Sequence, residues 1–95
     1  MERMPQTSGF EEERDRTARK MDYSPCAVCG HAVKDATHEQ WVRVAFLGEE
    51  CAPYAITDAE AEYLEDEDQG CWAIGKGCLA HHPQLAPYVR KTPRT

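Results

Sequence analysis

The sequence predicts a small α+β domain whose apolar core is too thin to hold it together unaided. Three observations lead there. Only 13 of the 95 residues are Leu, Ile, Val or Phe, below the roughly 20% at which a chain normally buries enough surface to offset its ordering entropy. Helix-start signals alternate with short runs of strand-forming residues. Two distant stretches, Cys26-x-x-Cys29 and Cys78-x-x-His81, carry side chains able to cross-link the chain from outside the core.

Residues 1–7 show no apolar pattern and are read as disordered, and residues 1–22 as a flexible arm or marginal helix. Ser8-Gly9-Phe10-Glu11 fits a capping box. Acids come first in that segment and Arg14, Arg16, Arg19 and Lys20 later, the order a helix dipole favours. Glu12–Arg16 and Asp15–Arg19 are spaced as i,i+4 pairs. The apolar face is only Phe10, Ala18 and Met21, so such a helix is marginal alone.

The folded domain is read over residues 23–90, with residues 91–95 a tail. Gly30 follows the first cysteine pair and suits a turn that needs positive φ. Ala32–Val33 is a short strand, and Trp41–Leu47, rich in aromatic and β-branched residues, is the strongest one. Cys51–Thr57 is a further strand in which Pro53 marks an edge or a loop. Thr57-Asp58-Ala59-Glu60 is a second capping box, opening a short helix over residues 58–66 with Tyr63 and Leu64 leaning on the core. Cys71–Ile74 reads as a strand, Gly75-Lys76-Gly77 as a tight turn, and Cys78–His82 as one helical turn. Pro83 and Pro87 preclude a long C-terminal helix.

The formal charge is -6, and it is unevenly spread. Residues 49–68 hold nine acids and no base, whereas residues 69–95 hold four bases and no acid. The acidic insert repels nucleic acid and attracts basic protein surfaces. No apolar run approaches the ~20 residues that span a bilayer. The first 25 residues carry no apolar signal stretch, which places the chain in the cytoplasm. In that reducing compartment, an odd set of five cysteines is read as thiols or metal ligands.

Each cysteine-bearing pair can place two donors on one cation, and thiolate sulfur with neutral imidazole nitrogen suits tetrahedral zinc. The expected ligands of one structural Zn2+ are therefore Cys26, Cys29, Cys78 and His81, with His82 or Cys71 as alternatives for the fourth place. Gly30, Gly75 and Gly77 allow backbone amides to approach the sulfurs. Such a site supplies on the order of 10–16 kcal/mol of folding-coupled binding energy. Cys51 and Cys71 are read as buried small hydrophobes, and His31 and His38 as exposed or hydrogen-bonded groups rather than ligands.

Cys26, Cys29 and Gly30, strands near residues 41–47 and 71–74, then Cys78 and His81 opening a helix together resemble a treble-clef zinc finger. The run Ile74-Gly75-Lys76-Gly77-Cys78 is similar to that of small zinc-finger proteins of actinobacteria and their phages. The resemblance covers about residues 26–82 and implies a zinc-stabilised β-hairpin domain.

The function expected is a non-enzymatic adaptor or inhibitor, phage-encoded, that binds the basic surface of another protein. Its contact residues are Tyr54, Glu62, Tyr63, Glu65 and Asp66 in the acidic insert. The alternative is a nucleic-acid-binding zinc finger using Lys34, Arg43, Lys76, Arg90, Lys91 and Arg94, with Trp41 or Trp72 stacking on bases. Catalysis is disfavoured, because neither His-x-Glu nor His-Glu-x-x-His occurs.

Overall fold

In the computed structural model, which describes residues 1–34 and 40–91, the chain runs as follows. β1 (Glu2–Arg3) and α1 (Phe10–Thr17) precede β2 (Tyr23–Pro25), β3 (Ala32–Lys34), β4 (Trp41–Leu47) and β5 (Ala52–Ile56). Then come α2 (Asp58–Tyr63), β6 (Asp68–Ala73), α3 (Lys76–His81), a 3-10 helix over Pro83–Tyr88 and β7 (Val89–Arg90). Among the described residues no helix is long and apolar enough to cross a membrane.

The fold is α+β, and β4 is its spine. Trp41, Val42, Val44 and Ala45 are all buried, as befits a strand covered on both faces. The main sheet is antiparallel throughout, in the order β1-β5-β4-β6. β7 pairs with Trp41 and Val42 on the flank that β5 leaves open. β2 and β3 form a separate two-stranded ribbon. Where β6 runs along β4, the register slips between Arg43↔Cys71 and Ala45↔Asp68, and Gly70 takes φ 78 in the bulge. The Met4 N–H donates to the Pro53 carbonyl at 2.9 Å. In an antiparallel strand that puts the proline nitrogen on the same outer side, where β1 has ended and no ladder bond is lost.

The second capping box forms as expected. The Glu60 N–H donates to Thr57 Oγ1 at 3.1 Å, and the Thr57 N–H donates to Glu60 Oε1 at 3.0 Å. The helix stops at Tyr63 rather than residue 66. Leu64 packs on a small cluster of Ala45, Ile56 and Ala61, but Tyr63 is 87% exposed instead of leaning on the core. Two residues past buried Ala61, Tyr63 lies about 200° round the helix and so faces away.

The boundary expected at residue 22 does not hold. β1 joins the main sheet, and Met4, Phe10 and Thr17 are buried. The residues that anchor this stretch are sparse in a polar sequence, and their burial is tertiary, which a local apolar pattern does not reveal. Gly9, not Ser8, is the N-cap of α1, without a side-chain bond. Arg16 pairs with Glu13 at 3.2 Å, not with Glu12. At the other end, Pro83 opens the 3-10 helix and Leu85 inserts fully into the core.

Arg43 of β4 ties the acidic stretch to the sheet. Its Nε donates to both Asp68 carboxylate oxygens at 3.1 Å, its Nη2 to Oδ2, and its Nη1 to Asp58 Oδ1 at 3.5 Å. Arg90 Nη1 donates to the same Asp58 oxygen at 2.9 Å. The Arg43 guanidinium, outweighing burial and helped by the Gly70 N–H, holds the Asp68 carboxyl below the ordinary carboxylate range. Asp68→Asn is expected to cost about 1.5–3 kcal/mol near neutral pH. Because the folded-state pKa is depressed, the difference from wild type is complete above about pH 4 and vanishes as the pH falls through the folded value. Urea midpoints of the two proteins, compared at each pH, measure that gap; one that stays constant down to pH 2 refutes the assignment.

Candidate metal centre

Cys26 and Cys29 occupy the turn that joins β2 to β3. The Cys26 N–H donates to the His31 carbonyl and the Gly30 N–H to the Cys26 carbonyl, each at 2.9 Å. Gly30 closes the turn at φ +77, and α1 crosses directly over it: a Cβ there would stand 2.5 Å from the Phe10 oxygen and 2.7 Å from the Arg14 nitrogen. The buried carbonyls of the turn are satisfied by the N-terminal stretch. Ala27 accepts from Gln6 Nε2 at 3.2 Å, Val28 from the Thr7 N–H at 3.0 Å, and Gly30 from Thr17 Oγ1 at 2.9 Å. The Ala27 N–H donates to the Ala73 carbonyl of β6 at 2.7 Å.

That last bond brings the far end of the chain alongside. After β6, the Ile74 N–H donates to the Gln40 carbonyl at 2.9 Å, and the Gly75 N–H donates to Cys26 Sγ at 3.2 Å. α3 starts at once, and Cys78 lies in its first turn. The sulfurs of Cys26, Cys29 and Cys78 all lie within 4.8 Å of one another. Sulfurs held tetrahedrally at about 2.3 Å from a zinc ion stand roughly 3.8 Å apart, so the three fit such an ion with small side-chain adjustments. All five cysteines are free thiols.

The electrostatics also suit a cation. Burial pushes the Cys26 thiol up, but the amides of Cys29, Gly75 and Val28, with the Cys29 thiol, more than offset this and leave it below the ordinary thiol value. Burial first, and then the Cys26 charge, push Cys78 up to about 12. A divalent ion removes that mutual repulsion by supplying the opposing charge.

His81 is not brought into this group. Residues three apart on an α-helix differ by about 60° in direction. Cys78 is only half-buried, so that rotation carries His81 to the exposed side. The alternatives fare no better. His82 caps α3, its N–H donating to the Cys78 and Leu79 carbonyls, and its side chain is not in the group. Cys71 Sγ accepts from Arg90 Nη1 at 3.5 Å on β6. His31 Nδ1 lies 3.3 Å from Glu13. Cys51, expected to be buried, is exposed in a turn at φ 52. His38 and Arg94 lie outside the described residues.

The chain matches no family model, no curated protein and no solved structure.

The residues expected to meet a partner fall at one end of α2. Glu62, Tyr63, Glu65 and Asp66 are exposed there, and Tyr54 is half-buried against the cluster that also holds Leu64. Glu62 and Glu65 line a recess of about 400 Å³ with Arg43, Asp58 and Asp68. Sequence reasoning missed that Asp58 and Asp68 are consumed internally, and that Gln6, Thr7 and Thr17 cover the cysteine turn. No spacing signal marks either, because both link residues far apart in the chain.

Proposed function

We propose that the protein is a non-enzymatic binding module, an adaptor or inhibitor, stapled by one structural zinc ion on Cys26, Cys29 and Cys78. The convergence of those three sulfurs from opposite ends of the chain is the observation that carries the reading. A treble-clef-like arrangement is supported by a cysteine turn between paired strands and a third cysteine in the first turn of a helix. The partner is a protein with a basic surface. Support for it comes from Glu62, Glu65 and Asp66, exposed carboxylates beside an exposed tyrosine, Tyr63. The nucleic-acid alternative is weakened, because Arg43 and Arg90 are turned toward Asp58 and Asp68.

The test is affinity purification with the wild type beside a variant carrying Glu62→Lys, Tyr63→Ser, Glu65→Lys and Asp66→Lys. Proteins retained by the wild type at low salt are expected to be lost from the variant, and to elute from the wild type as salt rises. Identical retention by both sinks the acidic contact surface. Native mass measurement is expected to show one zinc per chain.

A further inference from the structure

A recess of about 300 Å³ lies where β2 approaches the outer edge of β6. Pro25, Trp41, Phe46 and Trp72 give it apolar walls. Packing fixes those walls in place. The Trp72 ring stacks parallel to Phe10 with centroids 6.5 Å apart, and it meets Phe46 edge-on at 5.8 Å. Trp72 Nε1 donates to the Gln69 carbonyl at 3.3 Å, so the one polar group of the indole is satisfied and its face is left as apolar surface. Three donors share the recess. The Arg14 guanidinium is held over the Phe10 ring, 5.6 Å from its centroid, and its ion pair with Asp15, at 3.4 Å, is exposed and weak. Ser24 brings a hydroxyl. Cys71 brings a backbone N–H: the Ala73 carbonyl points outward to the Ala27 N–H, and residues two apart on a strand turn their backbone groups to the same side.

We infer that this recess binds a small aromatic carboxylic acid, its ring against Trp72 and Phe46 and its carboxylate on Arg14, Ser24 and the Cys71 N–H. The site is separate from the cysteine cluster and from the acidic contact surface. Pockets for small molecules span roughly 300–1,000 Å³, and this one stands at the low end, which suits a molecule of one or two rings. Charge selects the acid over a cation held by aromatic faces, because Arg14 alone is charged among the described residues that line the recess. A single guanidinium on a chain of formal charge -6 also favours a monoanion over a multiply charged phosphate.

The probe is naphthalene-2-carboxylate, titrated into the isotope-labelled full chain as purified. The indole N–H resonances of Trp41 and Trp72 are expected to move saturably. The neutral naphthalene-2-carboxamide is expected to bind about tenfold more weakly, for want of a charge-assisted bond. Tetramethylammonium is expected to leave both resonances in place. Arg14→Gln is expected to lower the affinity for the acid to that for the amide, and to leave the amide's own affinity unchanged. The wild-type comparison of acid with amide decides the matter even where that variant fails to fold. Absence of a saturable shift overturns the inference, as does equal affinity of the wild type for acid and amide. So does a folded Arg14→Gln protein that still prefers the acid. Tighter binding of phenyl phosphate, of tetramethylammonium or of acetyl-phenylalanine amide than of the acid overturns it too, the last by marking a peptide groove.

Discussion

Treatment with a strong chelator is expected to abolish the tertiary structure, if the three cysteines hold the structural zinc proposed above. Cys26 is a member of the main core cluster, together with Met4, Val28, Val42, Ile74 and Leu85. The site therefore joins the core rather than decorating the surface. Zinc binding coupled to folding is worth about 10–16 kcal/mol, as much as or more than the whole stability of an ordinary domain, about 5–15 kcal/mol. Near-UV circular dichroism from Trp41 and Trp72 should collapse on chelation and return when zinc is restored. Cys26→Ser should show the collapsed spectrum even with zinc present. A metal-free wild type that keeps its near-UV signal rules out the staple.

Gly30→Ala is expected to be nearly as damaging, for a backbone reason. Holding a non-glycine residue in the left-handed region costs roughly 1–2 kcal/mol. The new Cβ also meets backbone atoms of Phe10 and Arg14 at 2.5 and 2.7 Å, so α1 must lift away. Lifting it strains the bond from Thr17 Oγ1 to the Gly30 carbonyl, worth about 1 kcal/mol more. A loss of at least ~3 kcal/mol should appear in urea unfolding of the zinc-loaded protein. Gly75→Ala is the control: its φ is -69, and its Cβ would meet only Cys26 Sγ, at an ordinary 3.7 Å. Equal losses in the two variants defeat the steric explanation.

Much of the sheet and one helix were legible because their signals are local. Aromatic and β-branched content marks β4, and Thr57 with Glu60 marks the start of α2. Cys26-x-x-Cys29 was legible because metal-ligand spacing is a local rule, whereas Cys78 was tied to it only by its chemistry, its own x2 partner His81 not being in the group. The rest depends on what lies across the fold. Thr17 looks like an ordinary polar helix residue until Gly30 is placed beneath it. Leu85 sits between two prolines, where no periodicity announces a core position. His81 repeats the spacing of the first pair, but the direction of its side chain is set by how α3 rests on the domain. Asp58 and Asp68 counted toward a bare acidic patch until Arg43 was found between them.

The long separation between the first two cysteines and the third has a consequence for biosynthesis. A ribosome delivers Cys29 well before Cys78, and at ordinary elongation rates the interval is roughly 2–10 s. Throughout it the nascent chain holds two of the three clustered cysteines, and Trp41, Val42 and Val44, once made, have no finished interior to enter. Yield in a producing cell should therefore follow the supply of free zinc and of chaperones more closely than the speed of translation.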